Sequence, residues 1–394
     1  MRGERLGQGD GAGGVSPHPA LLTRDFALVT SAHLLQSLGY SSMVLLPVYL
    51  AHLGASRAEI GWVMATAAVV GLISRPGVAW AMARLGTKPT LALGTAALTS
   101  GMATFLLAHE LGPWIWLARI LVGLGTGTLF TGYFALAADL VPEARRTQGL
   151  ALFGISGLIP LLVNPLAGEL GVAPAELRLF FPALGGLVLA SLLPLAAVRA
   201  PPRPPAGSAP LGAVFVALRQ PALLKIWVGI IALAALAATF MAFATVTAAA
   251  RGVPRPAALW FTYAGGAVAV RLLFSGVTAR VSPRRLVPIA FVAFTAAALL
   301  AAVAQSGSAF LAAGLFAGLG HGVGFPLLTS AAVTDTPAPL RGAAMATLTG
   351  FWDLSSLVLT PAFGLVSDLF SDAAMFAALA GLAALTAVVC REPG

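Results

Sequence analysis

Apolar runs of roughly twenty residues recur along almost the whole chain, and they allow very few folds. They lie at about 26–50, 58–81, 90–109, 114–137, 148–170, 178–198, 222–248, 257–279, 286–305, 308–332, 343–366 and 373–390, separated by glycine, proline or charge. A membrane-crossing helix needs about 20 predominantly apolar residues. Twelve such runs predict an all-α membrane protein with twelve transmembrane helices. A membrane β-barrel would alternate apolar with polar residues, which these runs do not. Charged residues make up 9% of the chain, against about 25% in soluble domains. A water-soluble globule and a disordered chain are therefore both excluded.

Most connections between the runs are short and force antiparallel neighbours. The exception follows Arg199 and reads Ala-Pro-Pro-Arg-Pro-Pro-Ala-Gly-Ser-Ala-Pro, which cannot be a membrane helix. It divides the chain into a polar tail at 1–24, a six-helix bundle at 25–199, a Pro-rich linker at 200–221 and a second six-helix bundle at 222–394. The run at 26–50 exceeds the ~7–15 residue core of a signal peptide and is read as a retained first span.

The net charge of +9 would suggest nucleic acid in a soluble protein. Here the 23 basic residues occur in ones, twos and threes, so the expected partner is the bilayer, with no nucleic acid. With the N-terminus inside, sixteen Lys and Arg fall on the inner side and four (Arg57, Arg178, Arg251, Arg255) on the outer. Three more (Arg75, Arg119, Arg271) fall within spans. This bias predicts both termini in the cytoplasm and an even number of spans. Trp62, Trp114, Trp116, Trp227 and Trp260 sit near span ends, where the interface favours amphipathic rings. The single cysteine, Cys390, allows no internal disulfide, and no Cys–His cluster suggests zinc.

The two halves repeat each other. Arg75, Ala83, Arg84 and Lys88 map onto Arg271, Ala279, Arg280 and Arg284 at an offset of 196 residues. Gly123-Leu-Gly125-Thr-Gly127 is matched by Gly318-Leu-Gly320-His-Gly322, and Asp139 and Arg145 by Asp335 and Arg341. A repeat of six spans keeps both copies in one orientation, related by an axis along the membrane normal.

These features resemble the major facilitator superfamily of secondary transporters, over residues 25–391. Ala83-Arg84-Leu85-Gly86-Thr87-Lys88 looks like the family's Asp-Arg-x-Gly-Arg-Lys loop. Arg119 with Gly123 and Gly125 looks like its Arg-x-x-x-Gly-x-Gly motif. Asn164-Pro165-Leu-Ala-Gly168-Glu169 is a degraded form of the Gly-Pro-x-x-Gly-Gly motif of exporters. The resemblance implies two pseudo-symmetric bundles that rock about a shared interface, no cofactor, and a proton gradient as energy source. In the family the loop's Asp helps to latch the halves on the cytoplasmic side. Here it is Ala83, and Ala279 in the second copy. A residual cytoplasmic gate is expected from Arg84, Gly86 and Lys88, with Arg84 facing Asp139 and Arg280 facing Asp335; the alternative is that these are topology charges.

An ionisable group within a span is costly and marks a candidate functional site. Asp353 is the only acid well inside a span. It can exchange a proton or pair with a cationic substrate, or serve as a structural hydrogen-bonding group. For Arg119 the resemblance implies coupling of proton and substrate movement; the bland alternative is a packing arginine bonded to helix carbonyls. His321 is a candidate proton carrier or a satisfied core histidine. His33 and Gln36 share a helix face, suited to lining a cavity or to interhelical hydrogen bonding. Asn164 is a further polar candidate, and Trp352 can stack on a flat or cationic substrate. Arg75 and Arg271 are expected to snorkel to the interface.

The chain encodes neither a His-Glu-x-x-His helix, a Gly-x-Ser-x-Gly elbow, nor a Gly-x-x-x-x-Gly-Lys loop. It is therefore not expected to be an enzyme or an ATP-driven pump. The expected function is proton-coupled export of a small amphipathic or hydrophobic compound by a monomer. The alternatives are uptake by proton symport, or a transport-inactive sensor.

Overall fold

Helix boundaries follow from local chemistry. The hydroxyl of Thr23 accepts from the Phe26 N–H and starts α1 (Arg24–His52). Ser56 and Glu59 form a reciprocal capping box that opens α2 (Arg57–Arg84). Gly86, at φ 90°, makes the tight turn into α3 (Thr87–Leu107), where a side chain would be strained. Pro113, which lacks an N–H to waste, begins α4 (Pro113–Leu140). Ser306 and Ser371 cap two later helices in the same way as Thr23.

The computed structural model describes residues 22–142, 146–162, 171–199, 211–278, 281, 283–337 and 340–391. Asn164 and Arg280, both candidates above, lie outside the described residues. So do 200–210, most of the expected linker. The remaining helices are α5 (Arg146–Ile155), α6 (Pro174–Ala197), α7 (Leu224–Ala250), α8 (Leu259–Thr278), α9 (Pro283–Val303), α10 (Gly307–Thr334), α11 (Arg341–Leu369) and α12 (Asp372–Val389). Among the described residues ten helices are long and apolar enough to cross a membrane. To these the chain adds the 29-residue α11, which carries Asp353, and α5, which breaks at Ser156–Leu158 before a further turn at Ile159–Leu162. The chain is an all-helical membrane protein of ten to twelve spans. Within 200–221, where the sequence suggested only a linker, the Pro-free stretch Leu211–Leu218 forms a short helix against α11.

The repeat is visible as a repeat of packing partners. A Cβ on Gly123 would strike the backbone of Ala67, and one on Gly318 the backbone of Tyr263. Gly125 abuts Leu98, and Gly320 abuts Phe294. Each partner is displaced by 196 residues, while the glycines are displaced by 195. α4 thus packs on α2 and α3 as α10 packs on α8 and α9. The glycines permit helix backbones to approach closely, which drives association where lipid supplies no hydrophobic force.

Large apolar side chains on the outer faces, such as Leu93, Val292, Leu299 and Leu385, are exposed, as a lipid-facing belt requires. Trp62, Trp114 and Trp116 are exposed near the first turns of α2 and α4. Trp227 and Trp260 depart from the interfacial expectation. Both are buried; the Trp260 indole donates to Thr245 Oγ1 at 2.9 Å, and Trp227 packs on Phe351. Helix–helix packing inside the second half holds these two rings in place of the interface.

The halves meet chiefly where α2 lies antiparallel to α11. Smaller contacts join α7 to α1 and α8 to the Ile159–Leu162 turn. This seam positions the site.

Candidate functional site

The α2–α11 seam is tight at one end and loose at the other. At the Arg57 end, a Cβ on Gly61 would lie 2.6 Å from Pro361 Cα, and one on Gly364 only 2.4 Å from the Arg57 carbonyl oxygen. Glycine is what allows the two backbones to touch. Asp368 accepts from the backbone N–H groups of Arg57 (2.8 Å) and Ala58 (2.7 Å), capping α2 from the opposite half. The Arg57 guanidinium donates two bonds of 3.0 Å to the Asp372 carboxylate. Asp372 also accepts from Thr247 Oγ1 at 2.8 Å and from Ser367. Toward the other end the same helices leave room. Among the described residues, a Cβ on Gly342 or Gly350, which share the α2-facing side of α11 with Gly364, would meet nothing within 4 Å.

Where the cleft narrows, Arg75 of α2 and Asp353 of α11 form an ion pair between the halves. Arg75 Nη1 also donates to Thr349 Oγ1 at 2.9 Å, one turn from Asp353. Arg75 therefore does not snorkel. The only acid in mid-span gives it a partner nearer than the interface, and pairing offsets the desolvation of both groups. Trp352, next to Asp353, stacks on His321 with ring centroids 5.9 Å apart and contacts Phe325 edge-on. Consecutive residues point about 100° apart on a helix, so α11 offers a carboxylate to α2 and an indole to α10.

His321 itself is engaged: its Nδ1 lies 2.5 Å from the Tyr263 hydroxyl. Arg271 lies near enough to act electrostatically on both rings. It too turns away from the interface. Its Nε donates to the Gly322 carbonyl at 3.3 Å, and its Nη1 would be 3.4 Å from a Cβ on Gly154 of α5 in the other half.

The remaining candidates sit in the first half. His33 Nδ1 pairs with Ser156 Oγ at 2.7 Å, with its ring among Tyr133, Phe134 and Phe153. Gln36 is buried on the same helix. Arg119 is buried, donating from Nε to the Val63 carbonyl (3.0 Å) and from Nη2 to that of Met64 (2.8 Å). Its Nη1 has no hydrogen-bond partner among the described residues.

The gate charges make bonds that the sequence did not anticipate. Arg84 and Asp139 are both exposed. Asp335 binds Arg284 at 2.6 Å; Arg280, the partner expected for it, lies outside the described residues. Arg284 also donates to the Ala222 carbonyl at 2.8 Å. Its counterpart Lys88 donates to the carbonyls of Ala196 and Val198, both at 2.8 Å. Both cations satisfy carbonyls inside their own halves, and those bound by Lys88 are at the C-terminal end of α6. Among the described residues, the polar bonds that join the halves across the α2–α11 seam lie around Arg57 and at Arg75. Sequence reasoning missed Arg57, Asp368 and Asp372 because each reads as an ordinary loop charge. The signal that could have found Arg75 was its recurrence as Arg271, since topology charges need no fixed register within a span.

A family model described as Major Facilitator Superfamily matches residues 29–277. The chain belongs to the major facilitator superfamily. Its members are transporters rather than enzymes and need no cofactor, and this chain is accordingly a multi-pass membrane transporter of a small molecule. Solved structures with the same fold cover 93% of it. A POT family transporter bound to 5-aminolevulinic acid is 13% identical, with 95% of that chain covered and a TM-score of 0.75. The human organic anion transporter MFSD10 is 17% identical, with 99% covered and a TM-score of 0.69. The E. coli fucose:proton symporter FucP is 15% identical, with 98% covered and a TM-score of 0.62. No curated protein matches the chain by sequence.

Proposed function

We propose that this superfamily member is a proton-coupled transporter in which the Arg75–Asp353 pair links proton binding to the movement of the halves. The bodies that move are 25–199 and 222–394. One observation carries the reading: the only mid-span carboxylate is paired with a cation of the other half, on the stretch of seam where Gly350 has open space around it. Protonation of Asp353 removes the charge that holds α2 to α11 at this level, so a proton and the seam's geometry are thermodynamically linked.

The charged and titratable groups around Asp353 are few. α2 contributes Arg75, α10 contributes His321, and Arg271 of α8 lies beyond His321. α7 and α12 carry ionisable side chains only at their ends, Lys225 and Asp372. The Lys and Arg bias of the loops supports placing the Arg57 end outside, with both termini in the cytoplasm of the plasma membrane. The cleft then opens inward in this conformation, and the Arg57–Asp368–Asp372 cluster is the closed outer gate.

This reading gives the coupling role to Arg75 and Asp353. Arg119, with two nitrogens on the carbonyls of Val63 and Met64, is assigned to holding α4 against α2. The motifs around Arg119 and Asn164 suggested export by proton antiport; this reading moves the coupling to the seam and leaves direction to the flux assay.

The test is flux in proteoliposomes under an imposed pH gradient, with a panel of small anionic, cationic and neutral solutes. Asp353→Asn should abolish gradient-driven flux while the protein stays folded and counterflow exchange survives. Gradient-driven flux at the wild-type rate would remove Asp353 from the mechanism.

A further inference from the structure

The seam is built twice by the repeat but filled only once. At the same offset of 196, Arg75 corresponds to Arg271, Gly350 to Gly154, Pro361 to Pro165 and Gly364 to Gly168. α11 therefore corresponds to α5, and the α2–α11 seam to the α8–α5 seam. In the first seam Arg75 meets Asp353. In the second, the residue in register with Asp353 is Gly157. Arg271 faces a wall from which the carboxylate has been removed.

The geometry around Arg271 agrees. Among the described residues no carboxylate pairs with it. Its one hydrogen bond, to the Gly322 carbonyl, is long at 3.3 Å. Its Nη1 points at Gly154, where a Cβ would just make contact at 3.4 Å. At Gly157 a Cβ would meet only His33 Cε1, at 3.3 Å, and the Gly154 carbonyl, at 3.6 Å. The guanidinium is half-buried, and a half-buried cation without a counter-ion is costly. Tyr263 and His321 lie within its electrostatic reach; they are hydrogen-bonded to each other, and Trp352 stacks on His321.

We propose that Arg271, between the glycine wall of α5 and the Tyr263–His321–Trp352 rings, binds the carboxylate of a small organic anion, which takes the place that Asp353 holds in the other seam. A guanidinium offers two parallel donors to a carboxylate, and it is weakly hydrated, so the match is specific in shape as well as charge. The partly exposed rings of His321 and Trp352 accept the apolar or planar remainder of the solute.

A direction of coupling follows, and this part rests on the proton-coupled reading above. With Asp353 ionised, Arg75, Arg271 and Asp353 sum to one positive charge. A proton on Asp353 raises this to two. Proton and anion therefore strengthen each other's binding, which is the linkage of a symporter. A cationic solute would be opposed by the same proton.

The experiment uses the full chain in nanodiscs at fixed pH, with three probes of one size: benzoate, benzamide and benzylamine. Benzoate should bind saturably by calorimetry, and the neutral and cationic analogues at least tenfold more weakly. Arg271→Gln should lose benzoate binding by tenfold or more, while Arg271→Lys keeps part of it. Gly157→Asp, which restores the missing carboxylate, should also abolish binding; its melting temperature checks the fold against the tight His33 contact, and Arg271→Gln stands as the independent test. Equal binding of the three probes, absence of benzoate binding, or unchanged binding by folded Arg271→Gln would each overturn the site. The proton reading is separated by an anion-free measurement, the pH dependence of the α2–α11 distance between spin labels. If that dependence persists while benzoate fails to bind, the anion site alone falls. If it vanishes while benzoate binds, the proton coupling alone falls.

Discussion

Replacing Gly364 by alanine should open the Arg57 end of the seam. The new Cβ would stand 2.4 Å from the Arg57 carbonyl oxygen, 2.8 Å from its carbonyl carbon and 3.1 Å from Ala58 Cα. Ordinary contact begins at 3.4 Å, so α2 and α11 must separate by about 1 Å. All three neighbours are backbone, so no side chain can swing away. The same displacement would stretch the Asp368 bonds, now 2.8 and 2.7 Å, beyond hydrogen-bond reach. Overpacking of this kind costs about 1–3 kcal/mol, which shifts a two-state equilibrium by roughly 5–150-fold. Only the conformation closed at this end bears the cost. In the open conformation alanine is the better helix former by ~1 kcal/mol. Spin labels on exposed His52 and Phe370, with the buried Cys390 replaced by alanine, would report the change by pulsed dipolar spectroscopy. The long-distance population should grow, and Gly381→Ala, whose Cβ would meet nothing within 4 Å, should leave it unaltered. An identical distance distribution in folded Gly364→Ala would refute the claim that these glycines hold the gate shut.

Two further predictions concern the packing that carries the seam. Gly86→Ala forces a side chain onto a residue at φ 90°, which should cost about 1–2 kcal/mol and lower the melting temperature. A melting temperature equal to wild type would show that the turn relaxes without strain. Gly318→Ala places a Cβ 2.0 Å from the Tyr263 carbonyl oxygen, so it should destabilise the second half by about 3 kcal/mol or more; Gly265→Ala on α8, with open space around it, is the control. Equal thermal stability of the two variants would show that α8 and α10 are not locked together there.

In the proposed mechanism the two seams divide the work of transport by charge: one holds an ion pair whose strength a proton would control, and the other a cation that would receive the anion. Because the repeat puts both arginines at the same depth, a single rocking motion changes both environments together. That is the physical requirement for coupling, since a ligand shifts a conformational equilibrium only through its differential affinity for the two states.

Membrane insertion, helical class and the repeat were legible in the sequence, because each depends on patterns along the chain. Twenty-residue apolar runs dictate helices in lipid wherever the neighbours lie, and an offset of 196 is a property of residue order. Asp353 stood out for the same reason: one acid in an apolar run needs no partner to be conspicuous. Its partner was another matter. Arg75 is 278 positions away, and snorkelling and pairing look alike until α2 is laid against α11. The Arg57 latch was hidden because a charge in a loop reads the same whether it faces water or the other half. The hydrogen bonds of His33 to Ser156 and of His321 to Tyr263 also join residues from different helices. When every face of a helix is apolar, periodicity carries no record of which side meets protein and which meets lipid. Composition along the chain decided that it would span a membrane; the antiparallel contact of α2 with α11 decided which of its few charges would meet.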